Sequence, residues 1–246
     1  MDRLLFLGMT AAKHTEMAQT ANANNLANAS TAGFRADFHA LVSQPIEGPG
    51  KATRVNAVLE SKLSDFSEGS IMSTGRQLDV AIQGGGWFVV QDAQGGEALS
   101  RRGDLHLTAD GQLINGAGQP VMGDGGPLAV PEHDSLTIGS DGTVSVVPKG
   151  LGPESSVIVD RIRLVSADPA ELRKGEDGLI RTVDGATPPA DAEVRVRSGS
   201  LEGSNVNTVD AMVTMIELAR RYEMQVKVMS TANTVSETGA RLMRVE

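Results

Sequence analysis

The amino-acid sequence predicts an α+β protein, mainly β, in which long N- and C-terminal helices pair as a coiled-coil-like domain and flank a central all-β domain. Two observations carry that prediction. Both ends lack proline, from Met1 to Gln44 and from Ala190 to Glu246, whereas the middle holds all ten prolines and nearly all of the Asp-Gly, Asn-Gly and Gly-Gly pairs that punctuate β structure. The final segment also repeats apolar residues at alternating spacings of three and four, the period of a helix packed along another helix.

The first element is a helix from about Asp2 to Ala29. Its residues are helix formers, but its stripe, Leu4, Gly8, Ala11, Thr15 and Ala18, consists of small side chains after the first member. Such a helix buries little area alone. It ends near Asn28-Ala29-Ser30-Thr31-Ala32-Gly33, where Asn, Ser and Thr compete for backbone hydrogen bonds and Gly33 permits a left-handed turn.

The middle reads as strands and tight turns. Leu78, Val80 and Ile82 alternate, and Trp87-Phe88-Val89-Val90 is an apolar run expected to be buried. Asp110-Gly111 separates Leu105-His106-Leu107 from Leu113-Ile114, and Asp141-Gly142 separates Leu136-Thr137-Ile138 from Val144-Ser145-Val146, which predicts two hairpins. Further strands are expected at Val157 to Val165, Leu179 to Val183 and Glu193 to Arg197, with loops at Pro148 to Pro153 and Ala186 to Asp191.

The last element starts at an N-cap, Asn207 or Thr208, with Asp210 placed to reach back or to favour the helix dipole. Its expected seam is Met212, Met215, Ala219, Tyr222, Val226, Met229, Asn233, Ser236, Ala240 and Met243. Running from Thr208 to Arg244, the helix would be about 55 Å long at about 1.5 Å per residue. That is longer than a compact domain of this size normally holds. Its partner is the N-terminal helix, whose small stripe leaves the pair marginal, so neighbouring subunits are expected to complete the packing and an isolated subunit to have mobile ends.

Four segments follow: 1–32, the N-terminal helix of a helical assembly domain; 33–74, an extended or β linker; 75–204, the central β domain; and 205–246, the C-terminal helix. Composition narrows the function. With 31 acidic and 22 basic residues the net charge is −9, which disfavours nucleic acid and anionic lipid as partners. There is no cysteine, and five Phe, Trp87 and Tyr222 are all the aromatics, so thiolate metal sites and stacking platforms for sugars or bases lack material. The apolar run Leu4 to Met9 is short and is followed by Lys13, His14 and Glu16, which is expected of a mature helix and not of a cleaved signal peptide or a membrane span.

Chemistry-bearing motifs are few. His14, His39, His106 and His133 are scattered and form no spaced ligand pair. Gly84-Gly85-Gly86 leads into a strand instead of a helix N-terminus and no Gly-Lys-Ser/Thr follows, so a tight turn or bulge is expected, not a phosphate loop. No serine has glycine two residues before it, which removes the nucleophile elbow. Asp104, Asp110, Asp141, Asp168 and Asp177 stand beside turn chemistry or strands and are expected to cap turns. No catalytic residue, metal and no cofactor is therefore expected.

Three separated motifs complete the reading. Ala23 to Arg35, with Asn24-Asn25-Leu26-Ala27-Asn28 at its heart, resembles the N-terminal signature of the flagellar axial family of rod and hook subunits. Thr74 to Gly84, followed by Arg101-Arg102-Gly103-Asp104-Leu105, is similar to that family's central motif, and Leu201-Glu202-Gly203-Ser204-Asn205-Val206-Asn207 is similar to its lead into the terminal helix. The resemblance spans essentially the whole chain. Met1-Asp2-Arg3, Gly86-Trp87 and Ala219 to Gln225 resemble the proximal-rod branch; Gly85, where an acidic or Asn residue is frequent, and Ser30-Thr31-Ala32 are small departures.

The resemblance implies a structural subunit of the basal-body rod, a hollow drive shaft that transmits torque around the export channel, with paired terminal helices as its inner tube and the β domain outside. It implies as partners other copies of the chain, the proximal and distal rod subunits and the type III export apparatus, with no nucleic acid and no membrane insertion. It implies residence in the periplasmic rod after export without signal cleavage. The assembly interface is then expected on Leu4, Gly8, Ala11, Thr15, Ala18, Asn24, Asn25, Leu26 and Asn28, facing Met212, Met215, Ala219, Tyr222, Val226 and Met229. The alternatives are a distal-rod subunit of the same family and a periplasmic β-domain carbohydrate-binding protein or enzyme with a helical stalk.

Overall fold

The computed structural model describes the backbone of residues 2–45 and 55–243; the side chains of residues 2–4, 41, 43–45, 55–62, 153, 242 and 243 lie outside that description. The class is α+β and mostly β: two helices and many short antiparallel strands. The chain divides into two compact units.

Unit 1 comprises 1–28, 37–65 and 206–246. It contains helix α1 (Asp2–Ala27), the strands β1 (Asp37–Pro45) and β2 (Val55–Ser64), and helix α2 (Thr208–Met243). β1 and β2 form an antiparallel ribbon with a bulge between Ala40 and Leu41. These strands fall in the segment expected as an extended or β linker. Helix α1 gives out at Asn28, whose amide is shared between the carbonyls of Asn24 and Asn25 at 3.1 Å each. Helix α2 starts on Asn207: its Oδ1 accepts from the amide of Val209 (3.0 Å), and Asp210 reaches back to accept from Asn207 Nδ2 (2.7 Å).

Unit 2 comprises 29–36 and 66–205. Its strands open with β3 (Ile71–Ser73), β4 (Val80–Gln83), β5 (Trp87–Gln91), β6 (Glu97–Ser100), β7 (His106–Leu107) and β8 (Leu113–Ile114). They continue through β9 (Met122–Gly123), β10 (Gly126–Pro127), β11 (His133–Ile138), β12 (Thr143–Pro148), β13 (Val157–Arg161) and β14 (Leu164–Val165). The last are β15 (Leu172–Lys174), β16 (Ile180–Thr182), β17 (Arg195–Ser198) and β18 (Ser200–Glu202). The largest sheet runs β14-β5-β6-β16-β15, a second runs β11-β12-β13, and the rest are two-stranded pairs, β4 with β17 and β3 with β18 among them.

Strand β5 explains where the core sits. Phe88 and Val90 point into one apolar cluster with Val80, Ile82, Leu113, Leu136, Val144 and Leu164; Trp87 and Val89 point into another with Leu99, Val165, Leu172 and Ile180. With both faces covered, the strand must be apolar at every position, which is why Trp87 to Val90 read as an unbroken run. The two Asp-Gly hairpins form as the sequence predicts, β7 with β8 and β11 with β12. Gly84 and Gly86 turn the chain between β4 and β5 with φ of +74° and +133°.

Two strand expectations need correction. Leu78 lies in a turn closed by the Asp79 amide on the Arg76 carbonyl (3.0 Å), so the strand begins later, at Val80. Val157 to Val165 is two strands in two sheets, because Ile162 is drawn into the core between them and bridges to Gly123. Three of the Asp residues expected to cap turns do so: Asp141 accepts from the amide and hydroxyl of Thr143 (3.1 and 2.7 Å), Asp168 Oδ1 accepts from the amide of Ala170 (2.9 Å) and Asp177 Oδ1 from that of Leu179 (3.1 Å), whereas Asp104 is held by Arg102 (2.8 Å) and bridges to Asp79.

Candidate assembly interface

Within unit 1, α1 and α2 run antiparallel and in contact. Asn22 Nδ2 donates to the Ala211 carbonyl (2.7 Å), Gln225 Nε2 donates to Thr15 Oγ1 (2.9 Å), and Gly8 lies against Met229. A methyl group on Gly8 would stand 2.9 Å from Met229 Cγ, so the small residue is what admits the methionine. Thr15 is buried, and its hydroxyl also donates to the Ala11 carbonyl (3.0 Å), which satisfies both its donor and its acceptor capacity. The small stripe of α1 thus sets a close approach of the two helices.

The expected residues are distributed as follows. Gly8, Ala11, Thr15 and Ala18 are all partly or fully covered, and Ala12, outside the expected stripe, is buried as well. The side chain of Leu4 lies outside the described residues. Asn25 binds the first residue of β1 through both amide atoms, Nδ2 donating to the Asp37 carbonyl (2.7 Å) and Oδ1 accepting its amide (2.8 Å). Asn24 is exposed, Leu26 half-buried, and Asn28 Nδ2 donates back to the Asn24 carbonyl (3.0 Å). On α2, Met215, Ala219 and Met229 are partly covered, whereas Met212, Tyr222 and Val226 are 54%, 40% and 43% exposed.

The inward stripe of α2 is Ala211, Met215, Leu218, Gln225, Met229 and Ala232. It shares Met215 and Met229 with the expected seam, but at the alternate positions it uses the residue one place earlier. Both stripes have the same mean period, so spacing alone could not separate them. The Gln225 bond to Thr15 and the close fit of Ala211 and Ala232 decide it.

Outside that stripe the helix pair exposes apolar residues among its charged and polar ones. Phe6 and Met9 on α1, and Met212, Val213, Ile216, Met224, Val226, Val228 and Val235 on α2, are exposed. A shallow apolar groove of about 340 Å³ runs between Leu7, Gly8 and Ala11 on one side and Met224, Gln225 and Val228 on the other, with Arg221 at its rim. Exposed apolar residues gathered along one element mark an interaction surface. Among the described residues no group of three or more His, Cys, Asp or Glu could hold a metal ion, and no helix is long and apolar enough to cross a membrane.

Residues 197–242 match the family described as flagellar basal body rod FlgEFG protein C-terminal, and residues 81–146 match the flagellar hook protein FlgE/F/G D1 domain. The flagellar basal-body rod protein FlgF of Salmonella typhimurium is 43% identical over 239 residues, 95% of either chain, as is that of Escherichia coli. The chain belongs to the FlgF family of flagellar basal-body rod proteins. The rod protein FlgG of Bacillus subtilis is 31% identical over 99% of this chain and 100% of its own length. This FlgF-family chain is a structural subunit of the flagellar rod. The Asn-rich end of α1, the stretch from Thr74 through β4 to Gly84 with Arg101 to Leu105, and the lead into α2 are the segments whose sequences pointed to the family.

Proposed function

We propose that this subunit takes its place in the proximal rod, and that the α1–α2 pair is its assembly element, packing coiled-coil fashion on the same helices of neighbouring copies and of other rod subunits. The observation that supports this reading is the row of exposed apolar residues on a helix pair whose own inner face is already filled. The assembly element comprises Leu4, Gly8, Ala11, Thr15, Ala18, Asn24, Asn25, Leu26 and Asn28 on α1, with Met212, Met215, Ala219, Tyr222, Val226 and Met229 on α2. Gly8, Thr15 and Met229 hold the pair together, and the exposed Met212, Tyr222 and Val226 meet other subunits. The segments 1–32 and 205–246 act as the assembly domain, and 75–204 as a folded β domain carried by it. The subunit reaches the periplasm through the type III export apparatus with its N-terminus uncleaved. It transmits torque and performs no catalysis, since its relatives are structural rod proteins. Such a role calls for no cofactor.

Introducing Val226→Asp and Met229→Asp together tests the reading in cells. An unpaired carboxylate in an apolar contact costs about 3 kcal/mol or more, and the lesion recurs in every copy of the assembly. Motility and recovery of the subunit with purified hook-basal bodies should both be lost while the soluble protein keeps its β fold. Normal swimming and intact basal bodies would overturn it.

A further inference from the structure

Unit 2 contains a buried charge cluster that the assembly role leaves unexplained. Arg35, in the segment that follows α1, and Arg101, just after β6, share one carboxylate, that of Glu202 at the end of β18. Arg35 Nη2 reaches Oε1 at 2.5 Å and Arg101 Nη1 reaches Oε2 at 2.8 Å, with side-chain exposures of 1%, 3% and 1%. Trp87 lies against both guanidinium groups, 5.8 Å from Arg35 and 5.0 Å from Arg101, and Phe66 closes on Trp87 edge to face. Arg101 also donates to the Gly84 carbonyl (2.8 Å), yet the Nε atoms of both arginines have no hydrogen-bond partner. Two buried cations therefore depend on a single buried anion. Burial pulls the Arg101 pKa down, and the charge of Glu202 opposes that pull.

The backbone bonds around the cluster tie both ends of the unit to it. Gly33 donates its amide to the Glu202 carbonyl (2.8 Å), Gly69 donates to Glu202 Oε1 (2.9 Å), and Asn205 Oδ1 accepts the amide of Ala36 (2.8 Å). We propose that Glu202 is a lock that makes the seating of 29–36 on unit 2 conditional on the arrival of β18. Without the carboxylate, Arg35 would have to enter a dry site beside the guanidinium of Arg101, and like charges at that range in a low dielectric repel strongly. A chain made from its N-terminus contains Arg35 early, but acquires Glu202 after all of unit 2 except its last three residues. The peptide leading out of α1 thus stays unseated until the peptide leading into α2 exists, and both are fixed in one step.

Hydrogen exchange on the full chain and its Glu202→Gln variant tests the lock. The neutral amide keeps the shape and removes the charge. Protection at Gly33, Ala36 and Gly69 should fall at least tenfold while Val89 and Leu99 in the sheet stay protected. Adding Arg35→Met to Glu202→Gln removes one of the two stranded cations and should restore protection at Gly69 and Ala36 at least tenfold over the single variant, whereas a merely structural loss of bonds would deepen with the second substitution. If Glu202→Gln unfolds unit 2 entirely, recovery of the sheet in the double variant supports the lock and failure to recover overturns it. Protection in Glu202→Gln equal to that of the parent protein also overturns it.

Discussion

Gly33 shows how much a single residue can hold. Its φ is +66°, and a Cβ there would stand 2.3 Å from the Arg101 carbonyl carbon. Gly75 shares the left-handed conformation, φ +74°, but has open space around it. Alanine at Gly75 should therefore cost about 1–2 kcal/mol of conformational strain, and alanine at Gly33 should cost roughly 1–3 kcal/mol more because Arg101 must move. Urea unfolding followed by the fluorescence of Trp87, the one tryptophan, measures both; equal losses would show that the close approach carries no energy. The Asn25 pair of bonds to Asp37 works at the same scale, fixing the start of β1 on the end of α1 with one side chain.

At the scale of elements, the turns of unit 2 bring a pH dependence. Arg181 on β16 donates to Asp177 (2.7 Å) and to Asp92 at the end of the β5 hairpin (2.8 Å), and these bonds hold both carboxyls below their ordinary range. A carboxyl whose folded pKa is depressed adds stability that is complete above its unfolded value near 3.8 and is lost as pH falls toward the folded one. The thermal midpoint of unit 2 should be flat from neutral pH to about 5 and fall below about 4. Arg181→Met should flatten part of that fall in a calorimetric pH series. On α2, Val226 is exposed and Met229 packs on Gly8. Val226→Asp should change the stability of the isolated subunit by no more than about 0.5 kcal/mol. Met229→Asp should weaken the helix pair by about 2 kcal/mol or more. Circular dichroism at 222 nm against urea separates them, and a Val226→Asp subunit that is stable yet absent from basal bodies would locate that side chain in an intersubunit contact.

For the whole molecule, the two units differ in what holds them. Unit 2 buries two apolar clusters and its own ion pairs, whereas α2 leaves much of its apolar surface bare. Limited trypsin digestion of the isolated subunit should cut first in α2, at exposed Arg220, Arg221, Lys227 or Arg241, and leave unit 2 as the longest-lived product. Early cleavage after Arg161 or Arg181 would show the opposite order of stability. Growth of the exposed apolar face into a contact with other subunits should then protect α2, and digestion of assembled rods should spare the sites that are cut in the free chain.

Much of this was legible in the residues alone. Proline-free ends, the three-four spacing, the Asp-Gly turns and the apolar run of β5 are local signals, and each acts through the backbone of its own segment, so the α+β class, a helix start at Asn207 or Thr208 and the two hairpins could be read directly, with the side chain of Asn207 then supplying the cap. The stripe of α2 that faces α1 was not legible, because two sets of positions have the same period and only the partner's shape, Gly8 against Met229 and Thr15 against Gln225, chooses between them. Nor could spacing reveal that Arg35, Arg101 and Glu202 meet, since residues far apart in sequence are joined by the packing of unit 2 around Trp87. The sequence by itself determined the two terminal helices, the β character of the middle and its Asp-Gly turns, since those follow from short-range sterics and hydrogen bonding. Only the tertiary structure decided which faces are already filled and which charges share a partner, because burial is a property of neighbours that the chain brings together from a distance.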